Sequence, residues 1–210
     1  MTKIFASIFF LLLTFSLGAK AEDGPVKILA FGDSLTAGYG LKEEEAFPVR
    51  LEKALKAKGH DVELINAGQS GDTTGAGLGR VEWALFDQPD AVILELGAND
   101  MLRGLPVEKT EQNLQQIVEL FKAESLPILL AGMQASLSYG KEYKSAFDGI
   151  FPKLAEEQEL LFYPFFLDGV AGDMSLNQDD GIHPTVEGVD IIVSAILPKV
   201  EELIKLAKDQ

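Results

Sequence analysis

Five short apolar runs recur along the chain, at residues 26–31, 62–65, 91–96, 127–131 and 160–163, with a stretch of helical spacing between most neighbouring runs. Runs this short and apolar, bounded by turn residues, read as strands. Between them, Phe47, Leu51, Ala54 and Leu55 fall on one helical face, and Gly59 stands where a helix stops. A glycine-rich turn over 68–79 leads into a helical stretch around 81–86. Pro106 opens a helix with Leu114, Ile117, Val118 and Phe121 on one side. Another helix covers roughly 142–159. The last begins after Pro184 and carries Val189, Ile192, Ile196, Val200 and Leu203; Pro198 falls inside it and predicts a kink or break. Strands alternating with helices bury both faces of one parallel sheet. The expected fold class is therefore α/β. Such sheets bind ligands beyond the carboxyl ends of their strands.

That is where the reactive residues lie. The first strand ends abruptly at Gly32-Asp33, and Ser34 follows at once. A serine there is ordinarily a turn residue or helix cap. Gly32, Gly38 and Gly40 around it let the backbone bend and let a ligand come close. Of the two histidines, His60 sits between a helix end and a strand and reads as a surface turn; His183 is the candidate general base. Asp180 stands three residues earlier, close enough in a turn to accept the imidazole Nδ1–H and fix its tautomer. Asp179 competes but needs a longer reach. Aspartate and histidine at this spacing also suit a metal, yet no second histidine or carboxylate cluster completes a site, so no metal or other cofactor is expected. Two further turns follow strands. Gly71 can aim a bare N–H, and the Asn99 amide can donate, so that with the Ser34 N–H three donors would face one oxyanion. Each turn alone is ordinary turn chemistry. The run Gly75 to Arg80 brushes a dinucleotide fingerprint, but Arg80 takes the place of its last glycine.

The blocks Gly32-Asp33-Ser34-Leu35, Gly71 after Asn66-Ala67, Gly97-x-Asn99-Asp100 and Asp180-x-x-His183-Pro184, in that order, resemble those of the SGNH (GDSL-type) hydrolase superfamily. The likeness spans nearly the whole chain after residue 21. Gly38-Tyr39-Gly40, Leu102-Arg103-Gly104 and the stretch 138–143 look most like the periplasmic thioesterase/arylesterase/lysophospholipase branch. The resemblance implies a flavodoxin-like three-layer α/β/α sandwich on a five-stranded parallel sheet. It implies Ser34 as nucleophile, His183 as base, Asp180 as its orienter, and Ser34, Gly71 and Asn99 as the oxyanion hole, with no cofactor. Ala98 departs from the branch, which often has a second glycine there; a negative φ would accommodate it.

The first 21 residues have the form of an export signal: Lys3, an apolar stretch over 4–17, then Ala19-Lys20-Ala21 ahead of polar Glu22. That stretch is short for a membrane span, which takes about 20 residues. The expected mature chain is 22–210, one domain, periplasmic or secreted, without a membrane segment and monomeric. There is no cysteine, which excludes disulfides, thiolate ligands and a thiol nucleophile. The net charge of −15 becomes −17 once Lys3 and Lys20 leave, which disfavours nucleic acid as a partner.

The expected chemistry is hydrolysis of aryl esters, acyl thioesters or lysophospholipids through an acyl-serine. Leu35, Met101, Leu102, Leu105, Leu137 and Tyr139 are the apolar candidates for an acyl groove or for loop packing. The loop 133–140 is the candidate mobile segment. Activity should rise as His183 loses its proton, near about 6.5 for an unperturbed histidine. A carbohydrate O-deacetylase would use the same parts in a more polar cleft; a non-catalytic periplasmic binding protein is the reading from another class. Glu95, a charge inside an apolar strand, either faces a helix end or pairs with Arg50, Arg80 or Arg103, and the pair is the expectation.

Overall fold

The computed structural model describes residues 24–209; the expected signal segment lies outside them. Strands β1 (Val26–Gly32), β2 (Val62–Gly68), β3 (Ala91–Glu95), β4 (Ile128–Ala131) and β5 (Leu161–Tyr163) form one sheet in the order β2-β1-β3-β4-β5. Every pairing is parallel. The helices are α1 (Ser34–Ala37), α2 (Phe47–Ala57), α3 (Thr74–Leu78), α4 (Val81–Ala84), α5 (Ala98–Leu102), α6 (Val107–Ala123), α7 (Lys141–Glu157) and α8 (Val186–Lys208). Helices α2 and α8 pack on one side of the sheet, and α3, α6 and α7 against one another on the other, giving three layers. The sheet order is that of flavodoxin-like folds, as the sequence predicts.

Burial follows position in the sheet. Central β3 is buried at every residue, and β1 at all but Lys27, because each has helices on both faces. The edge strands β2 and β5 are mostly half-exposed. The periodic residues of the helices do reach the core: Val189, Ile192, Ile196, Val200 and Leu203 of α8 are all buried, at about 1.5–3 kcal/mol each. Phe31 meets Phe121 of α6 edge-on, with ring centroids 5.3 Å apart; on α2, Phe47 meets Phe166 in the same way at 5.0 Å.

Two expectations about helices change. Pro198 does not break α8, which runs through it for 23 residues. The proline is exposed, and so is Ser194, whose carbonyl loses the intrahelical bond and faces water instead. The glycine-rich turn is not all turn. It contains α3, whose cap is the Thr73 side chain accepting from Ala76 N. A second anchor comes from Asp100, which accepts from Thr74 N at 2.7 Å and from the Thr74 hydroxyl at 2.6 Å.

Candidate active site

The carboxyl ends of the strands deliver the reactive groups to one place. At Gly32, where β1 ends, the chain has no room for a side chain: a Cβ there would lie 2.7 Å from the Glu95 carbonyl oxygen. Asp33, not Ser34, caps the helix that follows, its Oδ1 accepting from Leu35 N at 3.0 Å. Ser34 is left as the first helical residue of α1 with its hydroxyl uncommitted to the backbone. It donates to His183 Nε2 at 2.8 Å across 149 residues of sequence. His183 Nδ1 donates to Asp180 Oδ2 at 2.7 Å.

Asp180 Oδ1 accepts from Ile182 N at 2.9 Å and from His183 N at 3.0 Å. The hydrogen bond from His183 leads the causes that hold the Asp180 carboxyl down to about 2, and the Ile182 N–H adds to it. A carboxylate that stays ionised fixes the imidazole with Nε2 free to accept. Asp179, the competitor, makes none of these bonds. Capping of α8 falls to Thr185, which accepts from Gly188 N, so His183 is not spent on the helix end. His60 pairs instead with Glu201 at 2.9 Å, away from this cluster.

Gly71 and Asn99 come to the same cleft as Ser34. Gly71 has φ +87°, a left-handed conformation that other residues resist, and Arg103 grips its carbonyl at 2.7 Å. Asn99 donates from Nδ2 to Asp33 Oδ2 at 3.1 Å. Positive φ at this turn belongs to Gly97, at +121°, and not to Ala98, so a glycine at 98 is not needed.

The cleft measures about 680 Å³, within the usual range of small-molecule sites. Leu35, Met101, Leu102 and Tyr139 line it, as do Met133, Phe165, Leu167 and Ile182. Leu105 and Leu137 do not. Leu137 is 70% exposed on a 3-10 turn and points away from the groove assigned to it from sequence. The loop over 133–140 is pinned near its base, where Ala135 N donates to Asp148 and Ala135 O accepts from Lys144. Among the described residues, no Asp, Glu, Lys or Arg lines the cleft.

Three contributors were not singled out from sequence. Tyr39 lies over the His183 ring. Gln178 donates to both Tyr39 O and Pro184 O, tying the turn after Ser34 to the histidine loop. Asn177, buried, donates to Val170 O and Asp173 O and closes that loop from below. No local sequence pattern marks Gln178 or Asn177 for such roles, since polar residues abound in loops.

Glu95 faces a helix end, the start of α1, and the expected arginine pair is not made. Arg50 binds Asp190, Arg103 binds Gly71, and Arg80 binds Asp72 and Gly32 O while stacking 4.0 Å over Phe31. Glu95 Oε2 accepts from the Thr36 hydroxyl at 2.8 Å and from Asp33 N at 3.4 Å, and Oε1 has no protein partner. Burial, reinforced by the charge of Asp33, pushes its pKa well above the usual range.

Residues 30–191 match the GDSL-like Lipase/Acylhydrolase family. The chain belongs to that family. This GDSL-type chain is 41% identical over 197 residues to an arylesterase of Vibrio mimicus, covering 93% of itself and 96% of that protein. To thioesterase 1/protease 1/lysophospholipase L1 of Escherichia coli (strain K12) it is 38% identical over 198 residues, covering 94% and 91%. The solved structure of AlinE4, an SGNH-hydrolase family esterase, matches with a TM-score of 0.73 at 47% identity, over 86% of this chain and 97% of that one. Membership makes the chain a GDSL/SGNH-type serine esterase, and neither the deacetylase reading nor the binding-protein reading is favoured.

Proposed function

We propose that Ser34 is the nucleophile, His183 the general base and Asp180 its orienter, acting on neutral carboxylic esters and thioesters with an apolar acyl group. The observation that carries this is the 2.8 Å bond from Ser34 Oγ to His183 Nε2 on a cleft whose walls are mostly apolar and carry no Asp, Glu, Lys or Arg among the described residues. His183 takes the Ser34 proton as Oγ attacks the acyl carbonyl. The resulting oxyanion is met by the Ser34 N–H, the Gly71 N–H and the Asn99 amide. His183 Nε2 then hands the proton to the leaving alcohol or thiol. Water repeats the sequence to release the acid and restore Ser34.

The substrate range of the reading is aryl esters, acyl thioesters and lysophospholipids. Lining by Leu35, Met101, Leu102, Met133 and Phe165 supports an acyl chain or aromatic group in the cleft. Among the described residues no cation lines the cleft itself, Arg103 standing only at its rim, so neutral aryl esters should be the better substrates. A series of p-nitrophenyl esters, run beside acyl-CoA, a lysophospholipid and an acetylated sugar, tests this. The reading expects highest kcat/KM on an aryl ester with an acyl chain longer than acetyl. Preference for the acetylated sugar would overturn it.

Export belongs to the same reading. The apolar 4–17 stretch and Ala19-Lys20-Ala21 support cleavage before Glu22 and a single domain over 22–210 in the periplasm or outside the cell. Among the described residues, no helix is long and apolar enough to cross a membrane. N-terminal sequencing of protein from the periplasmic fraction should begin at Glu22; a retained leader would contradict the assignment.

A further inference from the structure

Two carboxyl groups lie buried directly behind the reactive serine, and the mechanism above uses neither. Asp33 and Glu95 are both fully buried, an unusual cost for two acids side by side. Their contacts show what they hold. Asp33 Oδ1 accepts from Leu35 N at 3.0 Å, while Oδ2 accepts from Asn99 Nδ2 at 3.1 Å. Glu95, from the end of the neighbouring strand, fastens the other side of the same turn through Thr36 Oγ1 and Asp33 N.

We propose that Asp33 is a positioning residue for the oxyanion hole, aiming the Asn99 amide at the reacting carbonyl while Glu95 holds the Asp33 turn in place. The inference rests on the reading of Asn99 as an oxyanion donor. Asn99 has two N–H bonds on one amide. With one committed to Asp33, the plane of the amide is fixed, and the other N–H has one direction left. An amide free to rotate would spend part of its time pointing elsewhere, and an oxyanion donor is worth most when preorganised.

Only an aspartate meets both demands at position 33. Leu35 N and Asn99 Nδ2 are both donors, so two acceptor oxygens are needed. Asparagine supplies one acceptor and one donor. Serine can cap α1 but is too short to reach Asn99 as well. Burial pushes Asp33 up to about 6, against the bonds from Leu35 and Asn99 and the nearby His183, and the like charge of Asp72 adds to the rise. Arg80 in turn binds Asp72 at 2.6 Å. The acid beside Asp33, Glu95, is also raised well above its ordinary value, by its burial first and then by the charge of Asp33.

The test is a double-mutant cycle on one aryl ester, with Asp33→Asn, Asp33→Ser, Asn99→Ala and Asp33→Asn/Asn99→Ala. Both Asp33 variants keep a cap for α1 and should fold, which circular dichroism and thermal melts verify. Each is expected to lower kcat about 10- to 100-fold, less than the 10²–10³-fold loss of a donor outright, with KM changed less than about threefold. In the Asn99→Ala background, Asp33→Asn should lower kcat no more than about threefold further, because the group it aims is gone. Losses that multiply in the double variant, or an Asp33→Asn enzyme with kcat near wild type, would overturn the proposal. Full activity in Asn99→Ala would remove the oxyanion reading itself, and this inference with it.

Discussion

Tyr39 lies over His183 with ring centroids 4.5 Å apart and planes tilted by 36°. The tyrosine is half-exposed, and its backbone carbonyl is held by Gln178 from the histidine loop. The contact links the turn after Ser34 to the proposed general base. It also covers one face of the imidazole. Aromatic pairs are worth about 0.5–1.5 kcal/mol. Tyr39→Ala should therefore lower kcat about 2- to 10-fold, and Tyr39→Phe should retain nearly all of it, because the face and not the hydroxyl makes the contact. Steady-state kinetics on one aryl ester distinguish the two.

Arg103 should matter through Gly71. Its guanidinium fixes the Gly71 carbonyl at 2.7 Å, and the peptide so fixed determines where the Gly71 N–H aims. The side chain is exposed at the rim, so the bond is worth about 0.5–1.5 kcal/mol. Arg103→Ala should lower kcat about 2- to 10-fold. Gly71→Ala should do more harm, since φ of +87° costs an L residue about 1–2 kcal/mol and moves the N–H itself. Comparison of kcat for the two variants checks the order.

Asp180 and His183 should fail as a unit. Asp180→Asn keeps an acceptor for the Ile182 and His183 N–H groups but can donate to Nδ1, which favours the wrong tautomer. Loss of such an orienting acid reaches about 10⁴-fold in kcat in the serine protease case. A decline of at least about 10²-fold in kcat is expected from a protein that circular dichroism shows to be folded. With Asp180 held at about 2, wild-type activity should show no titration of this acid above about pH 4.

The two kinds of carboxyl make opposite contributions to stability. Glu95 and Asp33 are raised, so the folded chain binds more protons than the unfolded one. Their contribution is complete below the ordinary values of 4.5 and 3.8 and is lost as pH rises, through about 6 for Asp33 and through a value well above the ordinary one for Glu95. Asp180 is lowered, so its contribution is present above 3.8 and lost as pH falls through about 2. For buried Glu95 and Asp33 each pH unit of separation is about 1.4 kcal/mol, or about 3–6 °C for a chain of this size; for exposed Asp180 solvent screening makes it less. Glu95→Gln removes one titration while keeping an acceptor for Thr36 and Asp33 N. Melting curves should show Tm falling less between about pH 5 and about pH 8 in Glu95→Gln than in wild type.

What could be read from sequence is what local pattern dictates. Strand β1 is apolar until Gly32 because it is buried until Gly32, and the position of Ser34 follows from that. Asp180 and His183 are three apart, so their contact is nearly local. Contacts between distant segments were not legible. Glu95 meets Thr36 and Asp33 because β3 pairs with β1 in one register, and an apolar strand with one charge in it does not announce that register. Helix α3 depends on Asp100, 26 residues beyond Thr74. Leu137 looks like a groove residue by composition, yet a 3-10 turn carries it outward. Tyr39 carries no signal until the histidine loop is folded against it.

Ser34 is the point on which the account turns. The most direct measurement is the intact mass of the protein after exposure to a fluorophosphonate, with the modified peptide mapped. The account predicts one adduct, on Ser34, absent from Ser34→Ala and formed far more slowly in His183→Ala. An adduct on another residue, or a Ser34→Ala protein that still labels and still cleaves esters, would contradict it.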